Sequence, residues 1–247
     1  MIIYFSATGN CKYVAKRISD EISQDVLSVT DCINRGRYDF SDNSITVISP
    51  TYFWGLPSIV ADFLSKSKFT ADYLCFIATY GTTPSASGRI ADRLIKDRKI
   101  DAFYSVRMAD TWTPVFDLST PEKVGKFTKT TESEIDDIIG KIKSRYHNRK
   151  MKHSVSVFIT DLFAQPIYNN SARKTEKLSV NEQCIGCGLC SIKCPLKAIE
   201  MRNNKPVWVA DKCVMCLGCL HRCPKFAINY GKNTQKHGQY TNPNVKV

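Results

Sequence analysis

The sequence predicts an α/β fold, a doubly wound five-stranded parallel sheet, followed by a second, smaller α+β domain. Three observations carry this. Short apolar runs alternate with helix-periodic segments over the first 150 residues, the alternation stops there, and eight of the eleven cysteines fall between Cys184 and Cys223. With 247 residues and 43% hydrophobic side chains, the chain can bury a core. The expected organisation is a first domain over residues 1–150, a linker over 151–180, a cysteine-rich domain over 181–230, and a polar, poorly ordered tail over 231–247.

Each element has its own signal. Met1–Phe5 is a short apolar strand ended by a glycine-containing turn, after which Cys11, Val14, Ala15, Ile18 and Ile22 recur at helical spacing. Val26–Val29, Ile45–Ile48, Tyr73–Ala78 and Phe103–Met108 supply four more strands, with helical stretches at Ser58–Ser65 and Ser87–Lys99 between them. Ser119 or Thr120 caps a last helix with Pro121 at its first position and a stripe of Ile135, Ile138, Ile139 and Ile142. The linker holds one apolar run, Val155–Ile159, and then polar sequence from Asn169 to Lys177.

No apolar stretch approaches the roughly 18 residues a membrane span requires, and Met1–Phe5 lacks the basic flank of a secretory signal. The expected location is therefore cytoplasmic. The net charge of +12 is uneven: residues 1–150 carry 21 basic and 18 acidic side chains, residues 151–247 carry 14 and 5. No nucleic-acid recognition motif accompanies this excess, so it reads as a surface for acidic protein partners.

The cysteines form an internal duplication. Cys184, Cys187, Cys190 and Cys194-Pro195 are answered by Cys213, Cys216, Cys219 and Cys223-Pro224, each a C-x2-C-x2-C-x3-C-P run. In this spacing three thiolates grip one iron-sulfur cube and the fourth crosses to the other. One [4Fe-4S] cluster is then expected on Cys184, Cys187, Cys190 and Cys223, the other on Cys213, Cys216, Cys219 and Cys194. Four-thiolate zinc sites also use C-x2-C pairs, but a third cysteine at the same interval and a fourth before proline, both repeated, do not suit zinc. Cys11, Cys32 and Cys75 read as small buried or phosphate-adjacent residues, not as ligands. No general acid or nucleophile stands out: His147, His153 and His237 sit in polar sequence, and His221, inside a cluster run, reads as a surface residue or a neighbour of the cluster.

Between the first strand and first helix lies Ser6-Ala7-Thr8-Gly9-Asn10-Cys11, where backbone amides and a helix N-terminus meet. The Walker G-x4-G-K-[ST] and dinucleotide G-x-G-x-x-G patterns are missing, and a short hydroxyl-rich loop suits a monophosphate. This strand-S-x-T-G-N-helix opening resembles the phosphate loop of the flavodoxins, with Cys11 where they usually have Ser or Thr.

The resemblance implies a flavodoxin-like fold over roughly residues 1–145, with FMN at the carboxyl ends of the strands. Its ring would lie between Pro50-Thr51-Tyr52-Phe53-Trp54-Gly55 and Thr79-Tyr80-Gly81, its phosphate on Ser6, Thr8, Gly9, Asn10 and Cys11. Neither ring-side loop contains Asp or Glu, so a negatively charged reduced ring is expected to be tolerated.

The whole chain resembles the flavodoxin-ferredoxin fusions of anaerobic bacteria and archaea, a dicluster ferredoxin domain following a flavodoxin-like one. That implies electron transfer between the clusters and FMN, converting one- and two-electron steps for a redox partner. An alternative implied role is an FMN-dependent reductase of a small-molecule acceptor, fed through its own ferredoxin domain.

Overall fold

The structure, a computed structural model, describes residues 1–151 and 154–247, so His153 lies outside the described residues. The strands of the first part are β1 (Ile2–Tyr4), β2 (Val26–Ser28), β3 (Asp39–Ser41), β4 (Ser44–Pro50), β5 (Lys68–Thr70), β6 (Tyr73–Tyr80) and β7 (Ala102–Arg107). All five expected strands pair in parallel, in the order β2-β1-β4-β6-β7. The order reverses beside β1, leaving a crevice at the carboxyl ends of β1 and β4. β3 and β5 form a separate parallel pair of three residues each, too short to show a period in the sequence.

The helices are α1 (Asn10–Ile22), α2 (Val29–Asn34), α3 (Ser58–Lys66), α4 (Ser87–Leu94), α5 (Pro121–Thr128) and α6 (Thr131–Lys143). Successive strand residues alternate faces. Val47 and Phe76 pack with Ile59, Phe63 and Ile90 of α3 and α4, while Ile48 and Ile77 pack with Val14 and Ile18 of α1 and the isoleucine stripe of α6. Cys32 joins the first core, Cys11 and Cys75 the second.

Two expectations are corrected here. The helix expected to reach Lys99 ends at Leu94. The single last helix is two: Thr120 caps only the first, its side chain accepting from the Lys123 amide at 3.4 Å, and the isoleucines lie on the second.

The linker is structured. α7 (Ser154–Ile159) continues through wide helical turns at Thr160–Ala164 and Tyr168–Ala172, with α8 (Gln165–Ile167) between them. The cysteine-rich part contains β8 (Leu178–Val180), α9 (Leu189–Ile192), β9 (Ile199–Arg202), β10 (Lys205–Trp208), α10 (Gly218–His221) and β11 (Ile228–Tyr230), with β8 against β11 and β9 against β10, both antiparallel.

The second part is plugged into the first. Val214, 1% exposed, belongs to the same apolar cluster as Ile3 and Phe76. Tyr168 bolts the joint: its hydroxyl donates to the Val214 carbonyl at 2.7 Å and accepts from the Ser58 amide at 3.3 Å.

The tail expected to be poorly ordered is instead packed, with α11 (Thr234–His237) and then buried Tyr240 and Asn242. Its burial relies on polar atoms, which hydropathy does not register. His221 is also buried, not superficial, at 4% exposure.

Candidate functional site

The crevice at the sheet's carboxyl end is a cavity of about 260 Å³. Ser6, Ala7, Thr8, Asn10 and Cys11 line it from the β1–α1 loop and the start of α1, Pro50 to Trp54 from the end of β4 and the loop after it, and Thr79 to Thr83 from the end of β6 and the loop after it. Of the expected residues, Gly9 and Gly55 lie outside this lining. Gly9 turns the chain at φ +99°, with its amide on Ser6 Oγ at 3.1 Å and its back to Asn242, Val245 and Val247. Gly55 abuts Gln165 and Ile90.

Gly9 caps α1 without any side-chain hydrogen bond, so the helix start is not sealed by a side chain. The Cys11 thiol lies 3.2 Å from Thr79 Oγ1, and burial pushes it up to about 12, so it stays a neutral thiol. The Asn10 side chain is held behind the loop: Nδ2 donates to the Ala109 carbonyl at 3.1 Å, and Oδ1 accepts from Tyr240 Oη at 3.0 Å and Asn242 Nδ2 at 3.3 Å.

The aromatic loop is strained. Tyr52 and Gly55 close a two-residue turn with bonds of 3.0 and 2.9 Å, placing Phe53 and Trp54 at φ +46° and +62°. Phe53 is held by stacking on Tyr168 at 5.4 Å and edge-on against Trp112 at 5.7 Å, while Gln165 Nε2 donates to the carbonyls of Tyr52 and Phe53. Trp54 is 48% exposed; its carbonyl accepts from the Ala86 amide at 3.0 Å, a bond that does not depend on its side chain. Trp54→Gly is therefore expected to stabilise the flavin-free chain by roughly 0.5–1 kcal/mol while weakening flavin binding. Thermal melting and flavin titration check this, and a drop in melting temperature would refute it.

Several lining residues were missed from the sequence: Met108, Ala109, Asp110, Thr111, Trp112 and Phe116 after β7, with Tyr168, Met215 and Leu217; Cys216, expected as a cluster ligand, also lines this cavity. Trp112 between Thr111 and Thr113, at the end of the fifth strand, was the available signal. Asp110, which follows β7, brings to the cavity an acid group that the two ring-side loops lack. It packs on Gly81, where a Cβ would lie 2.2 Å from its own, and accepts from the Trp112 amide at 3.1 Å.

Burial raises the Asp110 carboxyl above its ordinary 3.8. As pH climbs past 3.8 the unfolded chain ionises first, so this group costs stability that reaches its full value above the folded pKa. Asp110→Asn is expected to raise the melting temperature of the flavin-free chain at pH 7, with the gain vanishing below pH 3.8. A gain independent of pH would contradict the assignment.

The eight duplicated cysteines ring two smaller hollows. Cys194, Cys213, Cys216 and Cys219 line one of about 30 Å³, and Cys184, Cys187, Cys190 and Cys223 line another of about 20 Å³. The duplication persists in detail: the Ala198 amide donates to Cys194 Sγ and the Ala227 amide to Cys223 Sγ, both at 3.3 Å, with Lys197 and Phe226 at matching positive φ. Among the described residues no three His, Cys, Asp or Glu side chains are grouped so as to hold a single metal ion.

Burial pushes Cys213 up to about 12 and raises Cys190, Cys216 and Cys219, so without a cation beside them these groups are neutral thiols. Arg222 lines the first hollow with a buried Nε–H that has no partner, a donor suited to an anionic cluster. Thr51 Oγ1, unpartnered and buried in the lining of the large cavity, likewise suits a polar ring edge.

Cys216 lines both the first hollow and the large cavity. We call that hollow the inner one. The other contains Cys187, the exposed member of the eight, and is the outer one.

A flavodoxin domain model matches residues 1–137. The chain belongs to the flavodoxin family. A 4Fe-4S dicluster domain model matches residues 157–228, so the flavodoxin domain is fused to a ferredoxin-type one. No curated protein matches the chain. Similar solved structures include a flavoprotein in complex with FMN from Lactobacillus acidophilus NCFM, 15% identical over 42% of this chain and 90% of that one, with a TM-score of 0.30. Another is the two-electron reduced flavodoxin of Megasphaera elsdenii, 15% identical over 55% and 99%, with a TM-score of 0.31. The cofactors of the two matched domains are FMN and two [4Fe-4S] clusters, and the role of the flavodoxin-ferredoxin chain is electron transfer involving flavin and iron-sulfur. No helix among the described residues is long and apolar enough to cross a membrane.

Proposed function

We propose that the chain relays electrons between an outside redox protein and FMN, in the order outer cluster, inner cluster, flavin. The observation that carries this is the segment Met215-Cys216-Leu217, which lines both the inner hollow and the flavin cavity and places a ligand cysteine, Cys216, in the wall between them. The clusters supply one-electron exchange and FMN supplies one- or two-electron chemistry.

The chain's own residues position these groups. Ser6 and Thr8, with the backbone at the start of α1, hold the phosphate without a cation. Tyr52, Phe53, Trp54 and Tyr80 offer apolar faces to the ring, and Gly81 lets the backbone approach it. Cys184, Cys187, Cys190 and Cys223 ligate the outer cluster, and Cys194, Cys213, Cys216 and Cys219 the inner one. The amides of Ala198, Met215 and Ala227 orient ligand sulfurs at 3.1–3.3 Å. Met215 and Leu217, 3% and 2% exposed, keep the passage beside Cys216 dry. The basic surplus of the second half steers acidic redox proteins toward it.

A second reading, reduction of a small acceptor, draws on Asp110. This carboxyl lines the cavity with Thr82 Oγ1 donating to it at 3.4 Å, and burial shifts it toward its protonated form, so it is placed to exchange a proton with a bound molecule.

Anaerobic reconstitution with iron, sulfide and FMN tests the proposal. About eight irons and one FMN per chain are expected, and an acidic one-electron carrier protein should reduce the flavin only when iron is present. Equal flavin reduction in the iron-free, FMN-loaded chain would overturn the relay.

A further inference from the structure

The segment after α11 touches both cofactor regions within four residues. Gln239 Nε2 donates to the carbonyls of Leu220 and Cys223, at 2.6 and 2.8 Å, so it grips the backbone of an outer-hollow ligand. The Tyr240 amide donates to His221 Nδ1 at 3.1 Å, which leaves Nε2 to donate to the Thr111 carbonyl at 2.9 Å, in the cavity lining. Tyr240 Oη and Asn242 Nδ2 both end on Asn10 Oδ1, and the Asn242 amide donates to the Thr8 carbonyl at 2.7 Å. Val245 and Val247 then close over the back of Gly9.

These contacts are buried. Tyr240 is 8% exposed, Asn242 3% and His221 4%. Buried polar groups released from such partners are left unsatisfied, so the bonds hold or break together. The phosphate loop has no cation of its own, and its shape depends on Asn10, whose side chain is occupied by this segment.

We propose that Gln239–Asn242 is a tie that couples cluster loading to flavin retention. Resting on the reading that FMN phosphate sits on residues 6–11 and a cluster on Cys223, the tie makes each cofactor strengthen the binding of the other. An ordered Cys223 turn holds Gln239 and Tyr240 in place, these hold Asn242, and Asn242 with Tyr240 holds the loop in its phosphate-binding shape. Coupling of this kind is reciprocal. Because the tie acts on the phosphate loop, it acts on FMN and not on riboflavin.

The test measures dissociation constants of FMN and riboflavin, by flavin fluorescence, for the full chain with and without iron. For the parent chain, iron is expected to tighten FMN by about fivefold or more and to leave riboflavin unchanged. In Asn242→Ala the iron effect on FMN should collapse toward unity with about eight irons still bound.

Tyr240→Phe keeps the buried ring and removes only the bond to Asn10. It should lose part of the effect, and it serves if Asn242→Ala fails to fold. The tie is overturned if iron leaves FMN affinity unchanged in the parent, if either variant retains the full iron effect, or if riboflavin responds as FMN does. Thr8→Glu separates the two layers. If it leaves the preference for FMN over riboflavin intact, the phosphate assignment itself fails; if it abolishes that preference while the tail variants change nothing, only the tie fails.

Discussion

Replacing Cys216 with Ser is expected to halve the bound iron, from about eight to about four per chain, and to stop protein-mediated reduction of a flavin that still binds. Cys216 is a wall of the inner hollow and of the flavin cavity together, so its loss empties the position through which the two communicate. Cys187→Ser is the matched control, since it lies in the outer hollow at the surface. It should also lose about four irons but keep exchange between the remaining cluster and FMN, visible as a reduced-cluster electron paramagnetic signal after photoreduction of the flavin. A Cys216→Ser chain that keeps its iron, or reduces flavin at the parental rate, would contradict the proposed order.

Gly9→Ala carries the second large effect. At φ +99° an L side chain costs about 1–2 kcal/mol, and the added Cβ would stand 2.9 Å from Asn242 Cβ and 3.1 Å from a methyl of Val245 and of Val247. Either the loop relaxes to negative φ or the tail is pushed off it. Both reshape the start of α1, and FMN affinity is expected to fall tenfold or more, on the order of 1.4 kcal/mol. Flavin titration reads the loss, and affinity within twofold of the parent would show that the loop tolerates the residue.

Much of this architecture was legible in the sequence, for identifiable reasons. The five strands are short apolar runs between helix-periodic segments, and a buried parallel sheet demands that pattern. The cysteines were legible because iron-sulfur ligation fixes both spacing and repetition. The small pair β3 and β5 was not, since three residues cannot display a period.

The other misses share one cause: side chains whose burial depends on partners distant in sequence. Tyr168 lies in the polar stretch Tyr168-Asn-Asn-Ser, yet it is 1% exposed because Val214, Ser58 and Phe53 enclose it. Asn242 and Gln239 look like tail residues until Thr8, Asn10 and Cys223 supply acceptors. Asp110 gave no signal because its neighbourhood with Gly81 arises from the adjacency of β6 and β7, 29 residues apart along the chain.

On the proposed assignment, the placement of one hollow at the surface and the other against the ring cavity wires the redox groups in series. A series circuit passes current no faster than its slowest junction and cannot be bypassed by a carrier docking elsewhere. Every electron reaching the ring would then cross the wall at Cys216, and an investigator wishing to interrupt or rectify the current would find a handle in the few side chains around it.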